Sequence, residues 1–301
     1  MKKEKEIGFI GLGRMGFNMI AHLLEKGYRV VGVDPIEEAR KRAKEAGAEV
    51  VSHYKEMADA LSSPRVVWLM VPSKLVDAVL EEVVPLLNEG DTVIDGGNSF
   101  YQDSLRRHKA LREKGLNFLD CGTSGGMEGA RNGASIMVGG REEVFSRHEH
   151  IFKDLAAENG YALVGKEGAG HFVKMIHNGI EYGMMGAIAE GMTILHERES
   201  EFGIDLKNVL KPYEHQSIIT SKLVTWLRKA YDEGQIDAIK GEVPRGETED
   251  EMEHITTLGD VKVLEAALAQ RKETRSHPSY IGKLVAAMRN QFGGHKVVQK
   301  K

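Results

Sequence analysis

The 301-residue sequence has a single cysteine, Cys121, and no long apolar run. One cysteine excludes an internal disulfide and fits a reducing compartment. A membrane-spanning helix needs about 20 consecutive apolar residues, and no stretch of the sequence approaches that length. A basic excess is also missing, because 41 lysines and arginines stand against 45 aspartates and glutamates, for a formal net charge of −4. This balance predicts no attraction to nucleic acid or to an anionic membrane.

The N-terminus lacks the features of a secretion signal. Residues 1–13 read MKKEKEIGFIGLG, in which the apolar run is short and is broken by glycines. A signal peptide carries a longer apolar segment after its basic start. We therefore expect a cytoplasmic protein. Its length allows a large core and suits two domains better than one.

The first half of the chain alternates short apolar runs with amphipathic segments. This alternation is typical of β-α-β units and predicts a doubly wound α/β fold with a parallel sheet. The predicted strands are Ile7–Ile10, Arg29–Val33, Val66–Val71, Thr92–Ile94, Phe118–Cys121 and Ser135–Val138. The helices predicted between them are Arg14–Glu25, Ile36–Ala46, Val76–Leu87 and Ser104–Lys114.

Long helical patterns replace the alternation after about residue 165. The segments that show them are Ala169–Glu199, Ile218–Tyr231, Asp260–Arg271 and Tyr280–Asn290. We therefore predict a Rossmann-like dinucleotide-binding domain over residues 1–167 and an all-helical substrate and dimerisation domain over residues 168–301. The acidic run 247–253 and the basic tail 296–301 are interpreted as solvated segments.

A glycine-rich loop, GLGRMG at residues 11–16, follows the first predicted strand and opens the first helix. This spacing allows a tight turn and lets the backbone approach a pyrophosphate at the helix N-terminus. Asp34 ends the second strand, where a carboxylate accepts hydrogen bonds from a ribose 2′-hydroxyl and repels a 2′-phosphate. The loop therefore predicts a nicotinamide dinucleotide site, with NAD preferred over NADP.

Three further loops are expected to face the ligands. Val71 and Pro72 end one strand, and the sequence DGGNS at residues 95–99 ends the next. Ligands of open parallel sheets lie beyond the carboxyl ends of the strands. After the fifth strand, Ser124, Gly125 and Gly126 offer a hydroxyl and unshielded N–H groups to a substrate carboxylate or hydroxyl. The predicted cofactor contacts are Gly11, Leu12, Gly13, Arg14, Met15, Gly16, Asp34, Val71, Pro72 and Asn98.

The segment from Gly168 to Gly183 puts five polar residues on one face of a predicted helix among largely apolar neighbours. They are Lys174, His177, Asn178, Glu181 and Tyr182. Lys174 and Glu181 stand two turns apart, about 10 Å along the axis. This spacing suits two proton-transfer groups that act on different atoms of one small substrate. The simple alternative is a solvated face that carries a cation and an anion.

These motifs resemble the 6-phosphogluconate dehydrogenases of the short type, within the β-hydroxyacid dehydrogenase superfamily. The resemblance runs nearly end to end, through GLGRMG, MVP, DGGNS, GTSGG and GAGHFVKMIHNGIEYG to MRNQFGGH. It implies oxidative decarboxylation of 6-phospho-D-gluconate to D-ribulose 5-phosphate and carbon dioxide, with reduction of NAD and without a metal. By the resemblance, Lys174 is the general base on the C3 hydroxyl and later an acid to the C3 oxygen, and Glu181 is the acid that protonates C1.

The resemblance also assigns contacts to the substrate and to a second subunit. Arg289 and His295 are similar to a terminal arginine and histidine that reach into a partner's active site, which implies a homodimer at least. Arg271 resembles a second phosphate-binding arginine. The implied substrate contacts are Asn98, Ser124, Gly125, Gly126, His177, Asn178, Tyr182, Arg271, Arg289 and His295.

One segment departs from the family pattern. The family carries a glycine-rich loop with a basic residue followed by Trp-Thr, whereas residues 241–254 read GEVPRGETEDEMEH. The phosphate contact from this loop is therefore open, with Lys240 and Arg245 as the basic residues at hand. Two alternative functions follow: another NAD-dependent 3-hydroxyacid dehydrogenase that oxidises a related sugar acid, and a non-catalytic NAD-binding module.

Overall fold

A computed structural model of the protein describes residues 5–300. By its internal contacts the chain divides into two units, Met1–Lys174 and Met175–Lys301. The first unit contains a mainly parallel sheet with its helices, and the second unit is all-helical. The predicted fold class, a Rossmann-type doubly wound domain followed by an all-α region, is confirmed.

Within residues 5–300, eight strands make up the sheet of the first unit. They are β1 Glu6–Ile10, β2 Arg29–Val33, β3 Glu49–Val51, β4 Val66–Leu69, β5 Thr92–Asp95, β6 Asn117–Ser124, β7 Ala134–Gly139 and β8 Ala156–Gly165. Their order is β3-β2-β1-β4-β5-β6-β7-β8, and of these neighbours β6 and β7 run antiparallel. The strand order reverses at β1, which pairs with both β2 and β4. Sheets of this kind bind dinucleotides at that switch point, beyond the carboxyl ends of the strands.

The helices of the first unit follow the strands in turn. They are α1 Arg14–Glu25, α2 Glu37–Glu45, α3 Tyr54–Ala60, α4 Val76–Val83, α5 Tyr101–Arg112, α6 Gly126–Asn132 and α7 Glu142–Leu155, with 3-10 turns at Ser73–Leu75 and Val84–Leu86. Along β1, Ile7 and Phe9 belong to one buried cluster and Ile10 belongs to another. Burial on both faces explains why the central strands read as short apolar runs.

All six predicted strands are present, and the structure adds β3, β8 and the helices α3, α6 and α7. β3 is only three residues long. β8 carries the exposed polar residues Glu158 and Asn159 in its middle, and Asn159 has φ 57°. A short edge strand and a strand with a polar interruption both lack the apolar run that makes a strand recognisable in a sequence.

The second unit consists of helices around one core. α8, Ala169–Glu197, contains the boundary between the two units. The later helices are α9 Glu199–Phe202, α10 Leu206–Glu214, α11 Lys222–Asp232, α12 Gln235–Ala238, α13 Glu247–Ile255, α14 Lys262–Glu273 and α15 Tyr280–Gly293. Met185, Leu210, Leu227 and Leu284 are fully buried in the core. No helix among the described residues combines the length and the apolarity needed to cross a membrane.

The helix predicted over Ile218–Tyr231 is wrong at its start. α11 begins at Lys222, because the side chain of Ser221 caps it and accepts a hydrogen bond from the backbone N–H of Val224 at 3.4 Å. Ile218 therefore lies before the helix and is fully exposed.

The interpretation of the acidic run 247–253 as a solvated segment holds for Glu247 and Asp250, which are exposed, but is wrong for Glu249. The run lies in α13, and Glu249 within it is 0% exposed. The basic tail is in part paired, since Lys240 N donates to the carbonyl of Val298 at 2.8 Å. Its last residue, Lys301, lies outside the described residues.

Candidate active site

The glycine-rich loop between β1 and α1 has the geometry of a dinucleotide cradle. Gly11 has a left-handed φ of +96°, and a Cβ there would collide with the carbonyl of Met70. A Cβ at Gly16 would collide with the carbonyl of Gly11. The packing of the loop itself therefore requires these two glycines. At Gly13, the N-cap of α1, no atom lies within 4 Å of the place a Cβ would take. That open space suits a pyrophosphate approaching the helix N-terminus.

The carboxylate of Asp34, directly after β2, is buried and bonded to this loop. Oδ2 accepts a hydrogen bond from Leu12 N at 2.7 Å, and Oδ1 accepts one from Ile36 N at 2.8 Å. A carboxylate oxygen has a second lone pair that can accept from a ribose hydroxyl. Arg40 donates to the backbone carbonyls of Asp34 and Pro35 at 2.6 and 3.0 Å. The predicted acidic residue and the predicted glycine loop therefore lie in direct contact.

The two loops that follow β4 and β5 touch each other. Met70 N donates to the carbonyl of Ile10 at 2.8 Å, which ties the end of β4 to the end of β1. A Cβ at Gly97 would lie 2.8 Å from the carbonyl oxygen of Val71. The predicted cofactor residues Val71 and Pro72 thus adjoin the DGGNS loop, in which Asn98 is half-buried.

A buried ionic network holds the DGGNS loop. Asp95 is fully buried and accepts hydrogen bonds from Gly97 N at 3.1 Å and from Ser99 Oγ at 2.7 Å. Arg107 Nη1 lies 3.3 Å from the same carboxylate, and its Nε donates to Asp77 at 2.9 Å. The hydrogen bonds from Arg107 lower the pKa of Asp77 to about 2. Sequence patterns give no sign of this network, because Arg107 stands among other charged residues in the amphipathic α5.

The loop between β6 and α6 contains two consecutive glycines in the left-handed region. Gly125 and Gly126 have φ values of +114° and +62°, and Ser124 ends β6 half-buried. Turn conformations can place successive backbone N–H groups around one concavity, which is able to hold an anion or a hydroxyl.

Lys174 lies close to β6 because two glycines, Gly122 and Gly170, have no side chains that would separate the helix from the sheet. A Cβ at Gly122 would collide with the Cβ of Lys174. One turn earlier in α8, a Cβ at Gly170 would lie 2.7 Å from the carbonyl oxygen of Met137. The helix can therefore lie directly on β6 and β7, and its backbone sets the position of Lys174.

A buried carboxylate caps the start of α8. Asp120 is fully buried and accepts hydrogen bonds from Gly168 N at 2.8 Å and His171 N at 2.9 Å. A carboxylate at a helix N-terminus accepts hydrogen bonds from the first N–H groups, which have no partner within the helix, and its negative charge interacts favourably with the helix dipole. The Nδ1 atom of His171 lies 2.7 Å from Ser104 Oγ, and its Nε2 atom is buried without a hydrogen-bond partner among the described residues. These positioning groups were not predicted.

The other polar residues of the α8 face lie in the second unit. The Nδ1 atom of His177 lies 3.7 Å from Glu181 Oε2 and 3.3 Å from Asn178 Oδ1. Asn178 Nδ2 donates to Glu251 Oε2 at 2.7 Å. Asn178 and Tyr182 are both 4% exposed. A solvated face does not fit side chains so deeply buried, so that alternative is wrong for these two residues.

Tyr182 lies at the centre of a cationic cluster. Its hydroxyl accepts hydrogen bonds from Arg289 Nε at 2.9 Å and from Thr248 Oγ1 at 3.0 Å, and the Arg271 guanidinium lies 4.7 Å above its ring. Arg271 Nη2 and Arg289 Nη1 both donate to the carbonyl of Pro244, at 3.1 and 3.3 Å. Burial lowers the pKa of Arg271, whose guanidinium nevertheless remains protonated. Two guanidinium groups that converge on one acceptor oxygen can also bind a phosphate oxygen.

Arg289, His295 and Arg245 are the other basic residues considered for substrate binding. Arg289 is buried against Tyr182 of its own chain. His295 follows α15 with an exposed side chain, and its ring packs edge-on against Phe292 at 5.7 Å. Arg245 pairs with Glu253 at 3.0 Å on the acidic α13. Within residues 5–300 no group of three or more histidine, cysteine, aspartate or glutamate side chains could hold a metal ion.

The doubly wound sheet and the glycine loop at its switch point place the protein in the class of Rossmann-type dinucleotide-binding proteins, with an added helical region. Residues 6–165 match the family model described as the NAD binding domain of 6-phosphogluconate dehydrogenase. Residues 170–200 match the model of the 6-phosphogluconate dehydrogenase C-terminal domain. The chain belongs to the 6-phosphogluconate dehydrogenase family.

Individual relatives agree with this membership. YqeC of Bacillus subtilis, whose name assigns it provisionally to the 6-phosphogluconate dehydrogenases, is 44% identical over 98% of this chain and 100% of its own length. The Haloferax volcanii enzyme named 6-phosphogluconate dehydrogenase, NAD(+)-dependent, decarboxylating, is 36% identical over 98% of this chain and 99% of its own length. The Plasmodium falciparum 6-phosphogluconate dehydrogenase structure superposes with a TM-score of 0.79 at 30% identity. That match covers 90% of this chain but only 62% of the Plasmodium chain.

Proposed function

We propose that the protein catalyses the oxidative decarboxylation of 6-phospho-D-gluconate to D-ribulose 5-phosphate and carbon dioxide, with NAD as the oxidant. The observation that carries the proposal is α8, in which Lys174 and Glu181 stand two turns apart in one helix. Residues 1–167 would bind the dinucleotide, and residues 168–301 would supply most of the substrate contacts.

The two ends of the α8 face have different tasks in this reaction. The neutral amine of Lys174 removes the proton of the C3 hydroxyl while the hydride on C3 passes to the nicotinamide, which is the chemistry that this cofactor supplies when bound. The resulting β-keto acid loses carbon dioxide. The Lys174 ammonium then returns its proton to the C3 oxygen as the enediol forms, and Glu181 protonates C1. The positive charge of a bound nicotinamide ring would disfavour the protonated amine of Lys174.

The buried arginines support a phosphorylated substrate. Arg271, Arg289, Tyr182 and Thr248 together offer guanidinium and hydroxyl donors in a region shielded from water. Charge-assisted hydrogen bonds of this type select phosphate over a neutral hydroxyl group. Arg271 pairs with Glu249, and both guanidinium groups donate to the Pro244 carbonyl. A phosphate would add a charged acceptor that a sugar acid without phosphate lacks, which disfavours the alternative substrate class.

The reacting end of the substrate would be held by the predicted polar contacts. Ser124 and the N–H groups of Gly125 and Gly126 suit the carboxylate, and Asn98, His177 and Asn178 suit the hydroxyl groups near C1 to C3. His295 remains a proposed contact from the C-terminal segment.

Asp34 supports NAD as the cofactor. Its buried carboxylate would accept from the ribose hydroxyls and would repel the charge of a 2′-phosphate. The Haloferax relative is named as NAD(+)-dependent, whereas the Plasmodium structure is described in complex with NADP+.

We also propose a homodimer that forms through α8. Ile180, Met184 and Ile194 are 52%, 41% and 62% exposed, and they lie along one side of that helix. A run of large apolar side chains of this kind marks an association surface.

A direct assay tests the substrate, the cofactor and the decarboxylation together. The purified protein is supplied with 6-phosphogluconate or gluconate and with NAD or NADP, while reduced cofactor and carbon dioxide are both measured. We expect equal amounts of carbon dioxide and NADH from 6-phosphogluconate, and much slower turnover of gluconate. Comparable rates with gluconate would contradict the phosphate assignment.

The Lys174→Met variant tests the enzyme assignment against a non-catalytic NAD-binding module. We expect turnover to fall by about three orders of magnitude or more with NAD binding kept, because the substitution removes the base but not the dinucleotide loop. Lys153→Met, at an exposed position of α7, is the matched control. A fully active Lys174→Met protein would exclude the proposed mechanism.

A further inference from the structure

Glu249 is a fully buried carboxylate beside the cationic cluster of Tyr182. It is 0% exposed although it belongs to the acidic α13. Arg275 donates to both of its oxygens, Nη1 to Oε2 at 2.8 Å and Nη2 to Oε1 at 3.0 Å. This bidentate pair fixes both the position and the plane of the carboxylate.

The same carboxylate faces one edge of Arg271. The Nε atom of Arg271 lies 3.3 Å from Glu249 Oε2, an ion pair without hydrogen-bond geometry. The edge of Arg271 formed by its two Nη atoms faces Thr248 and Pro244. Nη1 donates to Thr248 Oγ1 at 3.3 Å, and Nη2 donates to the Pro244 carbonyl at 3.1 Å. A guanidinium is planar and rigid, so an attraction on its Nε edge determines where its Nη edge points.

Gly246 borders the Nη edges of both arginines. A Cβ at Gly246 would lie 3.5 Å from Arg289 Nη2 and 3.8 Å from Arg271 Nη2. The missing side chain leaves space beside both guanidinium groups on that side. Arg271, Arg275 and Arg245 all form ion pairs with Glu249, so this carboxylate faces more positive than negative charge.

We propose that Glu249 is a positioning residue for recognition of the substrate phosphate. It holds the Nε edge of Arg271, which keeps the Nη edge turned toward Thr248 and Pro244 and available to the phosphate. Glu249 thereby contributes to the preference for a phosphorylated sugar acid over the unphosphorylated one. This inference rests on the proposed function.

A second role for Glu249 makes the opposite prediction. If the carboxylate only compensated the buried positive charge, its neutralisation would raise the potential of the cluster and strengthen the binding of an anion. If it orients Arg271, neutralisation weakens that binding. The sign of the change in phosphate affinity therefore separates the two roles.

The Glu249→Gln variant keeps the shape of the side chain and removes its charge. We expect the KM for 6-phosphogluconate and the inhibition constant of inorganic phosphate against it each to rise about tenfold, which corresponds to about 1.4 kcal/mol. We expect kcat and the KM for NAD to remain within about twofold, because Glu249 acts through Arg271 and not on the reacting atoms. An unchanged or a lowered inhibition constant of phosphate would overturn the proposal.

Glu253→Gln is the matched control on the same helix. Glu253 pairs with Lys272 at 2.6 Å and with Arg245 at 3.0 Å, and within residues 5–300 it forms no ion pair with Arg271. We expect wild-type constants from it. Removal of one partner from a buried ion pair can prevent folding. If Glu249→Gln does not fold, Glu249→Asp replaces it, because aspartate keeps the charge but is shorter by one methylene group. Wild-type values of the KM for 6-phosphogluconate and of the inhibition constant of phosphate in Glu249→Asp would also refute the proposal.

A double-mutant cycle with Arg271→Lys tests the route of the effect. If Glu249 acts through Arg271, the effects of the two substitutions on the inhibition constant of phosphate are not additive. Additive effects would contradict the proposal.

The substrate preference of the wild-type protein distinguishes a failure of this inference from a failure of the proposed function. A wild type that prefers 6-phosphogluconate to gluconate supports the proposed function whatever the variants show. A wild type that prefers neither would overturn both.

Discussion

At the scale of single residues, the proposed preference for NAD rests on Asp34, whose carboxylate is bonded to the dinucleotide loop. We expect Asp34→Asn to lower kcat/KM with NAD about tenfold and to narrow the preference for NAD over NADP. The amide keeps only one acceptor oxygen for Leu12 N, Ile36 N and the ribose, and it loses the charge that repels a 2′-phosphate. Steady-state kinetics with both cofactors give the ratio.

Asp59→Asn provides the comparison for that measurement. Asp59 is an exposed residue of α3 that pairs with Lys55 one turn earlier, and its loss should leave both cofactor constants at wild-type values. The assignment of Asp34 fails if Asp34→Asn keeps the wild-type ratio of NAD to NADP.

At the scale of elements, the close approach of α8 to the sheet depends on Gly170. We expect Gly170→Ala to lower the free energy of unfolding by about 1–3 kcal/mol, because the new Cβ would meet backbone carbonyls that cannot move independently. The same shift would move Lys174 relative to Gly122, so kcat should fall as well. Urea unfolding and the kinetic assay measure the two effects.

Gly186→Ala is the matched substitution in the same helix. A Cβ at Gly186 would meet only the end of the Gln270 side chain at 3.1 Å and the Cβ of Ala267 at 3.7 Å. The alanine can even gain up to about 1 kcal/mol of helix propensity. Equal stabilities of the Gly170→Ala and Gly186→Ala proteins would show that the backbone contact at Gly170 does not limit the packing of α8.

At the scale of the whole molecule, we expect association to depend on the apolar side of α8. Ile194 lines a cavity of about 380 Å³ together with Leu210, Tyr213 and Ile219. Ile194→Glu should convert the proposed dimer to a monomer, since a carboxylate in an apolar interface is costly to desolvate. Light scattering on a size-exclusion column measures the mass.

Phe202→Glu tests whether any exposed apolar residue has this effect. Phe202 is 69% exposed in α9 and does not line that cavity. Its variant should keep the mass of the wild type. A wild-type protein that elutes as a monomer, or an Ile194→Glu protein that stays dimeric, would exclude α8 as the interface.

Local patterns predicted the elements whose signal lies within a few residues. The loop at residues 11–16, the strand before it and Asp34 were predicted because glycine spacing and strand periodicity are properties of adjacent residues. The polar face of α8 was predicted for the same reason. β3 and β8 were missed because their pairing partners, not their own composition, make them strands.

The groups that support the candidate site come from distant parts of the chain. Thr248 is 66 residues from Tyr182, and Arg289 is 107 residues from it. No periodicity relates positions so far apart. Asp120 and its bonds to the start of α8 span about 50 residues in the same way. Such contacts exist only once the helices have packed.

By itself, the sequence determined the α/β and all-α architecture, the dinucleotide loop and the five polar positions of α8, because these follow from local spacing and from the burial of apolar runs. Only the tertiary structure decided which charged side chains are buried. Glu249 sits in an acidic run that reads as solvated, yet it is buried because Arg275 and Arg271 lie beside it. Burial of a charge depends on partners brought from other helices, and their identity cannot be read from neighbouring residues.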